Sequence, residues 1–251
     1  MAGNLFKTTQ AWKNAGNAFL KAAQLCAADV DSKHDCATHY AEAGNCFRKI
    51  DGAAAIDCYS KTCDIYTDMG RFSMAAKNHI TIAELYEKEL PDVEKCIQHY
   101  QKAADFYKGE EQKSSATKCL VFVAKYSAQL EQYRNAIKVF EEIALWEADH
   151  PTLKYNAKNH FFQALLCHLC IDALDAQHAL NRYEQASPSF SETREYKFIK
   201  EIMQHVEGGD EESYTAAVNS FDRISRLNEW HTHILLKIKK GIAKDDEDDL
   251  R

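Results

Sequence analysis

Val93-Glu-Lys-Cys-Ile-Gln-His-Tyr-Gln-Lys-Ala-Ala-Asp-Phe-Tyr-Lys-Gly109 is the stretch on which the fold turns. Its apolar positions Val93, Cys96, Ile97, Tyr100, Ala103, Ala104 and Tyr107 step by three and four, which puts them on one stripe of an α-helix. A small Ala beside a large aromatic lets a neighbouring helix approach closely. The word inside this stretch recurs: Ala/Cys-Ile/Leu-x-x-Tyr/Phe stands at Ala55-Ile56 with Tyr59, Cys96-Ile97 with Tyr100, Ala136-Ile137 with Phe140 and Ala179-Leu180 with Tyr183. The aromatic therefore returns after 41, 40 and 43 residues. A second pattern, Ala83, Ala124 and Ala164, runs out of phase at 41 and 40. Two helical patterns per period make each period one helical hairpin. Gly70 and Gly109 stand between the patterns, where a C′ glycine would end one helix before the next.

Outward from this centre, a shorter word, Ala-Gly-Asn-x-Phe, repeats at Ala2 to Phe6, Ala15 to Phe19 and Ala43 to Phe47. Small residues alternating with aromatics suit tetratricopeptide-like hairpins, although the period exceeds the usual ~34 residues. Helices are predicted over 9–28, 32–49, 52–68, 71–89, 92–108, 111–130, 132–148, 151–171, 174–186 and 190–206. After Gly208-Gly209 the period is lost, and two more helices, 210–226 and 229–243, are expected to cap the stack as a bundle. The fold class is all-α: a tetratricopeptide-like solenoid in a twisted layer over 1–207, a C-terminal helical bundle over 208–243, and a flexible acidic tail over 244–251. Residues 1–7 carry the repeat's word but are too short for a hairpin, and read as the end of a helix whose start is missing. The apolar residues near Leu5, Phe6, Trp12 and Phe19 are expected to lie bare at that end.

Composition agrees. Nine Gly and 3 Pro in 251 residues are too few for an all-β chain, which needs a turn about every 8–12 residues. No run of ~18 apolar residues and no N-terminal apolar region suggest a membrane span or secretory signal, so a cytosolic chain is expected. The nine Cys, at irregular spacing inside helical stretches, read as reduced, buried thiols. Cys167-His-Leu-Cys170 lacks a second ligand pair and has core-like flanks (Phe161, Leu165, Leu166, Leu169, Ile171), and His231-Thr-His233 reads as helix surface. No phosphate-binding glycine loop, HExxH or GxSxG occurs, so no catalytic residue, metal site or cofactor is assigned and an enzyme is not expected.

The repeat register picks out Lys77, Lys118 and Lys158 at intervals of 41 and 40, each one or two residues after an Ala (Ala76, Ala116, Ala157). Equivalent positions of stacked hairpins form a row on one surface. Each lies early in the second helix of its hairpin, where the macrodipole does not favour a cation. Either the row is a binding surface, with Arg71 at the start of the first such helix, or these are ordinary surface lysines. A basic row on a chain of net charge −7 argues against general nucleic-acid binding, and the row itself suits an acidic protein partner. The terminal Asp245-Asp-Glu-Asp-Asp249 run ends in Leu250-Arg251, and either engages a partner or keeps the terminus soluble.

Longer words carry a family resemblance: Tyr66-Thr-Asp-Met-Gly-Arg-Phe72, Tyr107-Lys-Gly-Glu-Glu111, Leu153-Lys-Tyr-Asn-Ala-Lys158, Cys167-His-Leu-Cys-Ile-Asp172, Ser225-Arg-Leu-Asn-Glu-Trp230 and the terminal Asp-Asp-Leu-Arg. Over essentially its whole length the chain resembles the soluble NSF attachment proteins of the α/β type. The resemblance implies an adaptor whose copies wrap a SNARE four-helix bundle with a basic concave face, and whose C-terminal end recruits and stimulates the hexameric ATPase NSF. It places SNARE contacts at Arg71, Lys77, Lys118 and Lys158, and ATPase contacts at Asp172, Glu207, Asp246, Glu247, Asp248, Asp249 and Leu250. Gln204 and Gly208 stand where acids would be expected. Family members carry about forty more residues at the start, a hairpin with a hydrophobic loop that touches membranes. Its absence implies a shortened chain or a short isoform, with weakened peripheral membrane association. The alternative reading is a generic helix-binding scaffold without ATPase coupling.

Overall fold

The computed structural model describes residues 2–27 and 32–248, the last six by backbone alone, and among them are thirteen α-helices and no strand. They fall into two compact units, 1–123 and 124–251.

The first unit holds α1 (Ala2–Thr8), α2 (Trp12–Cys26), α3 (Lys33–Phe47), α4 (Gly52–Asp68), α5 (Phe72–Lys88), α6 (Val93–Gly109) and the start of α7 (Lys113–Gln129). Each helix from α1 to α5 packs on the one that follows it, as stacked hairpins require. The repeat's own residues form the core: Ala55, Tyr59, Ala83, Cys96 and Tyr100 are all buried. The Ala-Gly-Asn words have a physical reading. A Cβ on Gly3 would sit 2.7 Å from the Phe19 ring, one on Gly16 2.7 Å from Phe47, and one on Gly44 2.9 Å from Tyr59. Each glycine is thus the seat of a later helix's aromatic. Phe19, expected bare, is buried for this reason, whereas Leu5 and Phe6 are exposed and Trp12 is half-buried.

Helix ends follow the same register. Asp51 and Asp92, one repeat apart, cap α4 and α6, their side chains accepting from the Ala54 and Lys95 amides at 3.1 and 3.0 Å. Such caps contribute about 1 kcal/mol each. Gly70 closes α4 as expected, with φ +68° and an Arg71 N–H to Tyr66 carbonyl bond of 2.8 Å. Gly109 does not play this part. The left-handed residue is Glu111 (φ 59°), and the closing bond runs from the Gln112 N–H to the Tyr107 carbonyl at 2.8 Å. Glu111 lies 41 residues after Gly70, so the repeat register, not the residue type, fixes where the chain turns.

The second unit contains the end of α7, then α8 (Tyr133–Ala148), α9 (Ala157–Leu169), α10 (Ala173–Ala186), a 3-10 turn (Pro188–Glu192), α11 (Arg194–Glu207), α12 (Glu211–Ile224) and α13 (Glu229–Asp248). Phe140, Phe161, Leu165, Leu166, Ile199 and Ile202 form its centre, and Phe190 is sealed in by the 3-10 turn. Two expected starts move. Residues 151–156 form turns with i→i+3 bonds such as Asn156 N–H to Leu153 carbonyl, 2.7 Å, so α9 begins at 157. The helix expected over 190–206 starts at Arg194, because extended Thr193 (ψ 158°) breaks the run and caps α11 through its hydroxyl, 3.2 Å from the Tyr196 amide.

Helices α11, α12 and α13 pack on one another and on α9 as a bundle, tied by the Tyr214 hydroxyl donating to the Leu235 carbonyl at 2.9 Å. The last helix, expected to end at 243, runs to Asp248. Ile234, Leu235, Ile238 and Ile242 anchor it, and an anchored helix elongates at one hydrogen bond per residue fixed. No Gly or Pro follows Gly241 to stop it, so the first part of the acidic segment is helical.

Candidate functional site: basic positions and an acidic-rimmed concavity

In the first unit, Lys77 and Lys118 are each the sixth residue of a 17-residue helix, α5 and α7. Both are exposed, and neither has an ion-pair partner among the described residues. Alternation of buried Ala75, Ala76, Ala116 and Cys119 with these lysines turns the ammonium groups outward. Arg71 precedes α5, exposed, its guanidinium 3.4 Å from His34 Nδ1. The first turn of α5 is fixed by Glu110, which accepts from the Ser73 amide at 3.1 Å and from its hydroxyl. The Phe72 ring stacks on Phe106 with centroids 5.6 Å apart.

In the second unit, Lys158 differs from these two. It is half-buried, the second residue of α9, and its ammonium donates to Glu195 Oε1 at 3.0 Å. The spacing that selected it could not reveal this partner, because Glu195 is 37 residues away on α11.

The acids assigned to the ATPase-facing end meet in part. Asp172 and Glu207, both exposed, line one concavity of the second unit of about 680 Å³, together with Glu131, Cys170, Lys237 and Lys240. Asp172 has a local duty as well: its carboxylate caps α10, accepting from the Leu174 amide at 3.1 Å. Lys237 donates to Glu131, which sits in the left-handed turn after α7 at φ 60°. Lys240 is exposed and without an ion-pair partner among the described residues. Burial pushes the Cys170 thiol up to about 12, so it stays protonated and non-nucleophilic. Opposed carboxylates and ammonium groups on a concave surface suit charged side chains of another protein. Sequence reasoning missed Glu131, Lys237 and Lys240; the i, i+3 lysine pair on α13 was the available signal. Asp246, Glu247 and Asp248 belong to the last turn of α13, while Asp249 and Leu250 lie outside the described residues.

Two sequence expectations are corrected nearby. His231 is not surface: its ring packs between Phe162 and Trp230, each centroid 5.4 Å away, and burial pushes its pKa down to about 4. It shares the inward face of α13 with Ile234 and Leu235, and only His233 is exposed. Of the Cys167–Cys170 flanks, Phe161, Leu165, Leu166 and Leu169 are buried, but Ile171 is exposed where α9 ends. No group of three or more His, Cys, Asp or Glu suited to a metal occurs among the described residues.

The family model "Soluble NSF attachment protein, SNAP" matches residues 1–243. The chain is 53% identical over 247 residues to the alpha-soluble NSF attachment protein of Mus musculus, covering 98% of this chain and 83% of that protein. It is 53% identical over 248 residues to the beta-soluble NSF attachment protein of Bos taurus (99% and 83% covered). To the vesicular-fusion protein SEC17 of Komagataella phaffii it is 32% identical over 255 residues (99% and 86% covered). With a family model over nearly all its residues and half of them identical to mammalian members, this chain belongs to the soluble NSF attachment protein family.

Proposed function

We propose that this protein is an adaptor that binds SNARE complexes and recruits and stimulates the ATPase NSF, driving SNARE disassembly in vesicle fusion and membrane trafficking. The layer of hairpins over 1–207 carries the SNARE-facing positions Arg71, Lys77, Lys118 and Lys158. The bundle over 208–243 and the acidic segment over 244–251, with Asp172 and Glu207, form the ATPase-facing end. Leu250 adds an apolar contact that salt does not screen, worth about 1.5–3 kcal/mol if fully buried. No helix among the described residues is long and apolar enough to cross a membrane.

The observation that carries this reading is the pair Lys77 and Lys118: exposed, without an ion-pair partner among the described residues, and at the same position of successive equivalent helices. Two unit charges at ~4 Å interact by about 1–4 kcal/mol, depending on the local dielectric. Lys77→Glu with Lys118→Glu is expected to weaken binding to an assembled SNARE bundle roughly a hundred-fold at low salt, and to stop NSF-driven disassembly, with helicity unchanged. A double variant that binds and disassembles as the wild type does refutes the reading.

A further inference from the structure

We propose that Glu195 is a positioning residue that restrains Lys158 and damps its charge, so that an acidic partner must share this ammonium with a carboxylate already in place. The inference rests on the basic positions being the SNARE-facing surface. Three observations lead to it. Glu195 is the buried half of the pair, its side chain 13% exposed against 40% for Lys158. Its Oε1 accepts from the ammonium at 3.0 Å while Oε2 is buried with no hydrogen-bond partner, so the carboxylate is committed to one contact. It also belongs to the first turn of α11, where the helix dipole favours a negative charge. The carboxylate therefore stays put, and the lysine is the mobile partner.

The arrangement is particular to this repeat. The same offset of 37 residues from Lys77 and Lys118 falls on Ser114 and Tyr155, neither of them an acid. Lys77 and Lys118 present full charges that attract any acidic surface, whereas Lys158 presents a charge already half satisfied. Its contribution depends on where the partner's carboxylate sits, because only an oxygen close to Nζ can share the remaining N–H donors. Attraction comes from the first two positions and discrimination from the third.

The experiment is a titration of fluorescently labelled SNARE bundle with the full chain at several salt concentrations, using Glu195→Gln, Glu195→Asp, Lys158→Gln, Glu195→Gln with Lys158→Gln, and Lys118→Glu. Glu195→Gln is expected to bind about two- to five-fold tighter at low salt, with a steeper salt dependence. Glu195→Asp, which keeps the charge, is expected to bind as the wild type does. The gain from Glu195→Gln is expected to vanish in the Lys158→Gln background, which a general charge effect would not do. If Glu195→Gln is neutral or weaker with helicity intact, or its gain survives without Lys158, the inference is overturned while Lys118→Glu still weakens binding. If Lys118→Glu binds normally, the basic surface itself is refuted and this inference with it.

Discussion

The two units treat buried polarity in opposite ways. In the first, the polar groups that enter the core find each other: His79 Nδ1 and His99 Nδ1 are 2.9 Å apart, and Thr62 donates to the Cys58 carbonyl at 3.0 Å. In the second lie all the buried side-chain polar atoms without a hydrogen-bond partner among the described residues, on Glu147, His168, Glu195 and His231. An unmet buried donor or acceptor costs about 1–3 kcal/mol. The first unit is therefore organised by fit, glycine under aromatic, and the second tolerates electrostatic strain within a larger apolar centre. Glu195, the partner of Lys158, belongs to that set.

The strongest way to sharpen this contrast is to change a glycine in each unit. Gly16→Leu forces a side chain into the Phe47 ring and is expected to destabilise by about 3 kcal/mol or more, measured by denaturant unfolding. Gly241→Ala on α13 meets no atom within 4 Å and is expected to be neutral or to stabilise by up to ~1 kcal/mol. Equal costs at the two sites would break the distinction.

A smaller effect tests the strain directly. Burial raises the Glu147 carboxyl to about 7, with Oε2 3.6 Å from His160 Nε2. Because this pKa is raised above its ordinary value of 4.5, the group's contribution is most favourable below pH 4.5 and is lost as pH rises towards 7. Glu147→Gln is therefore expected to stabilise by about 1–2 kcal/mol at pH 8 and hardly at all at pH 4.5, in paired unfolding curves. In the first unit, burial pushes His79 and His99 down to about 4, so their contribution has the opposite sign, lost as pH falls from 6.5 towards 4. A gain from Glu147→Gln that is the same at both pH values would show that no strained carboxylate is present.

The smallest effect asks where the units agree. Glu111 and Glu131 hold the same left-handed turn, one in each unit, at φ 59° and 60°. Replacing either by Gly is expected to raise the melting temperature, by about 0.5–1 kcal/mol of stability at Glu111 and by less at Glu131, whose carboxylate also accepts from Lys237. A gain at Glu131 as large as that at Glu111 would show that its pair with Lys237 adds nothing to stability.

What the sequence made legible was whatever repeats. Tyr59, Tyr100, Phe140 and Tyr183, found by period alone, are all buried, and so are Ala83, Ala124 and Ala164. Residue preference misled where period and preference disagreed: Gly109 suggested a turn because glycine favours one, yet the chain turns at Glu111, in register with Gly70. Non-periodic local bonding was invisible, as in the turns of 151–156 and the Thr193 cap. At the candidate site, the period found Lys77, Lys118 and Lys158, and only the resemblance supplied Asp172 and Glu207. Glu195 and Lys237 were missed because their partners are 37 and 106 residues away, held by helix packing that no local pattern encodes.

The thiols turn this architecture into its own clock. Seven of the nine cysteines are buried, and only Cys26 in the first unit and Cys170 in the second are partly open. Burial pushes Cys58 and Cys119 up to about 11 and Cys63 and Cys96 up to about 12, so these sulfurs meet an alkylating reagent only when their surroundings breathe. Cys96 lies on α6, which packs on the helix that carries Lys77, Cys119 follows Lys118 on α7, and Cys167 lies deep in the unit that carries Lys158. The order in which these sulfurs acquire a label therefore ranks the opening free energies of the two units, residue by residue, in the unmodified chain.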